Sequence, residues 1–113
     1  MLILAHRCRV RRIGGSLSVY VPVFMAEIIR RRHGEFYAYV EDGGITYSPR
    51  PPRARHKRVK LRVQARYKDR KYYVLTVPAT LATELGLADG STVALYYDGE
   101  KIRVVPATPE EVG

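Results

Sequence analysis

Tryptophan is absent from this chain of 113 residues, cysteine occurs once and histidine three times. The lone Cys8 has no partner for an internal disulfide, so the fold is not stapled by thiol pairing. His6, His33 and His56 are scattered, and His6-x-Cys8 offers two ligands where a metal site generally uses three or four. Neither a metal nor another cofactor is expected. No glycine-rich loop leads into Lys-Ser or Lys-Thr, and no nucleophile stands near a plausible base, which argues against an enzyme. The apolar run at the start, Met1 to Ala5, is far shorter than the roughly 18–20 residues that cross a bilayer. It also lacks the charged leader and long apolar segment of a secretory signal. The expectation is a small cytoplasmic protein, nucleoid-associated if it binds DNA.

Acidic residues are scarce as well: 11 against 20 Lys and Arg, a net charge of +9. This excludes an acidic solvating tail and makes a polyanion the first partner to consider. The charge is unevenly spread. Residues 49–71 hold 11 basic residues and Asp69 alone as an acid, whereas residues 72–113 hold two basic residues and six acids. Arginine outnumbers lysine 15 to 5, which favours bidentate contacts with phosphate. The bland alternative is a solvated linker, so the basic block needs a structural context before it means anything.

That context is an internal repeat. Val19-Tyr20-Val21-Pro22 recurs as Leu75-Thr76-Val77-Pro78 at an offset of 56, which also carries His33-Gly34 onto Asp89-Gly90 and Asp42-Gly43 onto Asp98-Gly99. One extra residue in the second copy then brings Ile45 onto Ile102 and Tyr47 onto Val104. Each copy predicts two strands, a helix begun by proline, and two more strands. Leu17, Val19 and Val21 alternate with polar neighbours at the period of a half-buried strand, as do Tyr73, Leu75 and Val77. Helices are predicted over 23–32 and 79–85, with Gly86 as a C-cap. Met25, Ile28 and Ile29 form one core stripe and Leu81, Leu85 and Leu87 another. Arg30, Arg31 and Arg32 suit a helix C-terminus. Asp42-Gly43 and Asp98-Gly99, between β-rich runs, predict hairpins.

The expected organisation is therefore a first copy at 1–48, a basic Pro-rich linker at 49–58, a second copy at 59–106 and a short tail at 107–113. A unit of this size cannot close a core alone, so the two copies are expected to complete one barrel. Alternation sets Arg7, Arg9 and Arg11 on one strand face, opposite Cys8 and Val10. In the second copy it sets Arg62, Gln64, Arg66 and Lys68 opposite Leu61, Val63, Ala65 and Tyr67. Such basic ridges suit nucleic-acid phosphates, and Tyr67, Tyr72 and Tyr73 among them raise the option of single strands or RNA, against simple core packing.

The run from Arg11 through Ile13-Gly14-Gly15-Ser16 to Val21-Pro22 resembles the opening of the MazE-like and AbrB-like (SpoVT-AbrB) swapped-hairpin domains. Val77-Pro78, Leu85-Gly86-Leu87, Asp89-Gly90 and Asp98-Gly99 extend the resemblance to the second copy. It implies a mainly β fold: a swapped-hairpin barrel of two tandem ββαββ repeats with one short helix each. It also implies a transcription regulator that contacts duplex DNA through basic hairpins. Arg11 and Arg12 match the family's basic pair, Lys68 matches Arg12 in the second copy, and Arg70-Lys71-Tyr72 replaces the Gly-Gly-Ser turn. Ala26-Glu27 and Ala82-Thr83 stand where some relatives carry arginines, so the hairpins rather than the helices are expected to touch DNA. The candidate set is Arg7, Arg9, Arg11, Arg12, Arg62, Arg66, Lys68, Arg70 and Lys71. A chain of two copies is expected to work as a pseudo-dimer, alone or as a further homodimer, with its cationic arms side by side. Rival readings are an antitoxin, for which 107–113 is a short wrapping segment, and a non-specific architectural or RNA-binding protein.

Overall fold

The computed structural model describes residues 3–67 and 70–108, excepting the side chains of 64–70. Nine strands and two helices follow one another as β1 Leu4–Arg9, β2 Arg11–Ile13, β3 Ser16–Val21, α1 Val23–Arg32, β4 Glu35–Glu41, β5 Gly44–Ser48, β6 Lys57–Tyr67, β7 Arg70–Val77, α2 Ala79–Leu85, β8 Thr92–Tyr97 and β9 Ile102–Pro106. The protein is mainly β. Its strands form one antiparallel sheet in the order β1-β8-β9-β5-β4-β6-β7-β3-β2. The two ends of that order are consecutive in the chain. Val10, between β1 and β2, donates its N–H to the Ser91 carbonyl at 2.8 Å and accepts from the Gly90 N–H at 2.7 Å. The sheet thus curls into a nearly closed barrel, which leaves little unpaired edge. No helix among the described residues is long and apolar enough to cross a membrane.

Local chemistry accounts for the elements. Both helices start immediately after a proline that acts as N-cap, Pro22 at φ −54° and Pro78 at φ −56°. Proline fits there because its missing N–H would have no intrahelical partner. The Pro22 and Pro78 carbonyls accept from Ala26 and Ala82 at 2.8 and 2.9 Å, which closes each first turn. Gly86 ends α2 in the left-handed region at φ 70°, where a Cβ would be strained. Asp42 and Gly43 turn β4 into β5 with φ 47° and 74°, the positive pair that a two-residue hairpin requires.

The interior is filled from the inner faces. Val19 and Val21 of β3, Leu75 and Val77 of β7, Phe36 of β4, Ile45 and Tyr47 of β5, Leu95 of β8 and Val104 of β9 are all buried in one core. Met25, Ala26 and Ile29 seat α1 on it, and Leu81 and Ala82 seat α2. Of the core stripe expected on α1, Ile28 stays 40% exposed. The Tyr47 hydroxyl donates to the Thr76 carbonyl at 2.8 Å, tying β5 to β7 through the core. Gly44 permits the close approach of β9: a Cβ there would stand 2.9 Å from the Val104 carbonyl oxygen.

Two expectations about the chain change. Lys57 and Arg58, assigned from sequence to the linker, are the first residues of β6 and pair with Ala38 and Tyr37 of β4. The alternation of Val59 and Leu61 with charged neighbours runs back through them, and the strand begins as soon as the prolines end. The β2–β3 and β6–β7 hairpins lie side by side, because β3 pairs with β7. That pairing is antiparallel, so the two tips lie at opposite ends of the ladder rather than together.

Candidate nucleic-acid interface

The outer face of the ladder β2-β3-β7-β6 carries the basic residues in an ordered way. Arg11 pairs with Ser18, which pairs with Thr76. One row along, Tyr20 pairs with Val74, which pairs with Arg62. Since Val19 and Leu75 point into the core, these rows take the opposite phase, with Ser18 and Val74 buried in the middle and Arg11, Tyr20 and Arg62 exposed around them. Arg11 and Arg62 therefore stand on opposite margins of one surface. Three strand spacings separate them, roughly 14 Å across the ladder. The Arg62 guanidinium reaches inward to the Thr76 hydroxyl at 3.5 Å.

Each margin continues as a row of cations. Arg9 pairs with Thr92 and Arg7 with Ala94 of β8, on the phase of Arg11 and opposite the buried Val10. On the other margin Lys60 pairs with Glu35 and Arg58 with Tyr37 of β4, on the phase of Arg62 and opposite the buried Val59 and Leu61. Arg9, Arg11, Arg58, Lys60 and Arg62 are exposed and Arg7 is half-buried. Arg58 forms an ion pair with Glu35 at 2.9 Å, and with both side chains well exposed such a pair contributes little.

The other candidates fall elsewhere. Arg12 takes the opposite phase from Arg11, pairing with Leu17, and its guanidinium donates to the Gly15 carbonyl at 3.3 Å. Its backbone N–H donates to the Asp89 carboxylate at 3.1 Å. Lys71 is exposed but has the phase of Tyr73, off the outer face. Lys68 lies outside the described residues. Arg66 and Arg70 occupy strand positions paired with Lys71 and Tyr67. A register shift between Val63 and Ala65 interrupts the alternation that grouped Arg62 with the residues after it. Backward from Arg62 the row continues through Lys60 to Arg58. Sequence reasoning missed Arg58 and Lys60 because it let the linker run too far. The signal was present in Val59 and Leu61.

Arg103 is basic but engaged on β9. Its guanidinium donates to the Glu41 carbonyl at 2.9 Å, the Thr46 hydroxyl at 2.7 Å and the Asp42 carbonyl at 3.2 Å, holding the β4–β5 turn. Among the described residues no three His, Cys, Asp and Glu side chains gather as metal ligands would. Burial pushes the Cys8 thiol up to about 11, so it stays protonated at neutral pH. Burial also raises the phenols of Tyr47 and Tyr97. What the arrangement offers chemically is two rows of cations. No family model matches the chain, and no curated protein and no solved structure matches it either.

Proposed function

We propose that the chain is two interleaved copies of a swapped-hairpin half-barrel and acts as a DNA-binding regulator of the AbrB kind, gripping duplex phosphates with the rows Arg7-Arg9-Arg11 and Arg58-Lys60-Arg62. Pairing register supports the duplication. Val19 faces Leu75, the residue 56 positions on, and its neighbours pair as Ser18 with Thr76 and Tyr20 with Val74, which the same offset exchanges. Across the barrel Thr46 faces Arg103, 57 positions on, and Ile45–Val104 exchanges with Tyr47–Ile102. A residue that pairs with its own counterpart lies on a twofold axis. Interleaving is supported by β1, which pairs with β8, and by the start of β6, which pairs with β4: each copy's first strand leans on the strand that follows the other copy's helix.

The observation that carries the DNA reading is the match between the two rows. Pairing moves the extra residue of the second copy ahead of β8, since the buried Phe36 and Ala38 answer Val93 and Leu95, 57 positions on. Arg9 pairs with Thr92 and Lys60 with Glu35, 57 positions earlier; Arg11 pairs with Ser18 and Arg62 with Val74, 56 positions later, so Arg11 answers Arg62 instead of Arg12 answering Lys68. Cations thus recur at three equivalent outward positions on both sides of the axis. A solvated face has no reason to repeat them in register. Their separation is close to the roughly 12 Å width of a major groove, so each row can follow one backbone. Six cations on six phosphates give a slope of log affinity against log salt of about −5.

A mobility-shift titration at several salt concentrations tests this. Arg9→Ala/Arg11→Ala and Lys60→Ala/Arg62→Ala should each weaken binding to any duplex and flatten the salt slope by about 2. Unchanged binding in both variants would remove the rows from the interface. A protein that ignores DNA but copurifies with one stoichiometric partner would favour the antitoxin reading instead.

A further inference from the structure

Two grooves occupy equivalent places in the two copies, each between the start of a helix and the adjoining hairpin strands, and they differ sharply. The groove beside α1 has a volume of about 720 Å³, within the usual range for a small-ligand site. The one beside α2 has about 510 Å³. Where Tyr20 and Tyr72 line the first, Thr76 and Ser16 line the second. His6 and Glu27 in the first likewise become Lys57 and Thr83 in the second. Tyr20 and Tyr72 are 42% and 40% exposed, on the face of the ladder opposite the core. Their centroids are 6.3 Å apart and their planes meet at 70°, which makes an open aromatic corner. Lys71 stands at its margin, and Tyr20 shares a row with Arg62.

We propose that the α1 groove takes one unpaired nucleobase, so that the pseudo-dimer grips paired DNA with both halves but captures an extrahelical base with only one. This inference rests on the nucleic-acid reading above. A base stacks on one tyrosine face and meets the edge of the other, a contact open to any base. The Glu27 carboxylate accepts from N–H donors on the base edge, and Lys71 meets the flanking phosphate. Lys71 in the groove's lining and Arg62 in the row of Tyr20 give a nucleotide's phosphate two cations to meet. The α2 groove lacks rings and cannot stack.

The test compares a 20-base-pair duplex with the same duplex carrying one bulged 2-aminopurine, by anisotropy and by base fluorescence. The bulged duplex should bind about tenfold tighter, as expected for one stacked base, with its 2-aminopurine emission quenched on binding. Tyr20→Ala/Tyr72→Ala should bring the ratio of the two affinities to about one, while Tyr20→Phe/Tyr72→Phe, which keeps both rings and controls for folding, should preserve it. Normal binding of the paired duplex with a ratio of one overturns the inference and leaves the DNA reading standing. A ratio of one in a protein that sediments as a dimer, dissociated by Tyr20→Ala/Tyr72→Ala, assigns the groove to a contact between copies and also overturns it. Failure to bind either duplex sinks both.

Discussion

On the duplication proposed above, Val19 and Leu75 are counterparts that face each other across the β3–β7 ladder, and outward from them the two halves differ by degrees. The cationic rows differ least: Arg7 answers Arg58, Arg9 answers Lys60 and Arg11 answers Arg62. The interior comes next, keeping its apolar character while exchanging side chains: Val21 and Val77, Met25 and Leu81, Ala26 and Ala82 are apolar and buried in both halves. The grooves have diverged most, aromatic beside α1 and small or hydroxylated beside α2. The order follows from what each environment demands. An exposed cationic row needs only its charge, an interior of fixed volume accepts compensating apolar exchanges, and a solvent-filled groove constrains nothing unless a ligand enters it.

Breaking the interior should cost most, and unequally. Leu75→Ala removes a fully buried side chain at the centre of the ladder and should destabilise the protein by about 2–5 kcal/mol in urea unfolding. Its partner Val19 has less volume to lose, so Val19→Ala should cost less. Equal losses would mean that the two sides of the ladder pack differently from the structure described. Gly44 and Lys101, 57 positions apart, make a second contrast. Gly44→Ala forces a Cβ to within 2.9 Å of the Val104 carbonyl oxygen and should cost about 1–3 kcal/mol. Lys101→Ala, in the opposite turn, should stay within about 0.5 kcal/mol.

Smaller effects sharpen the comparison. Tyr47 sends its hydroxyl to the Thr76 carbonyl, whereas its counterpart Val104 has no hydroxyl to send. Tyr47→Phe should therefore cost about 1 kcal/mol in thermal or urea unfolding, the net value of one buried hydrogen bond. The smallest effect concerns Cys8, whose counterpart is Val59. With its thiol raised from about 9 to about 11 by burial, Cys8 favours the protonated native state. That contribution is intact below about pH 9 and is lost as the pH rises through about 11. Disulfide reagents at pH 8 should label it slowly in the native protein and rapidly in urea. Fast native labelling would show that the interior opens near β1.

Much of this architecture was legible along the chain because its signals are local. The period of Leu17, Val19 and Val21, the prolines at 22 and 78, Gly86 and the two Asp-Gly turns each act within a few residues. They place both helices and the hairpins at the observed positions. The basic surface was legible in part. Arg7, Arg9 and Arg11 fall on one outward phase as alternation predicts, but the extension of the second row back through Lys60 to Arg58 went unread. A register shift at Val63 and a strand start at Lys57 decided it, and neither is a property of a short window.

The sequence alone determined a basic, mainly β chain with two short proline-led helices, since residue type and spacing govern strand period, helix start and turn. Tertiary structure decided which strands pair, and with them everything about the surface. Only the antiparallel meeting of β3 and β7 sets Arg11 and Arg62 on two margins of one face, turns the hairpin tips apart, and leaves Tyr20 beside Tyr72. Those juxtapositions join residues more than fifty positions apart, through backbone hydrogen bonds that any sequence can form and that only the fit of the shared core selects.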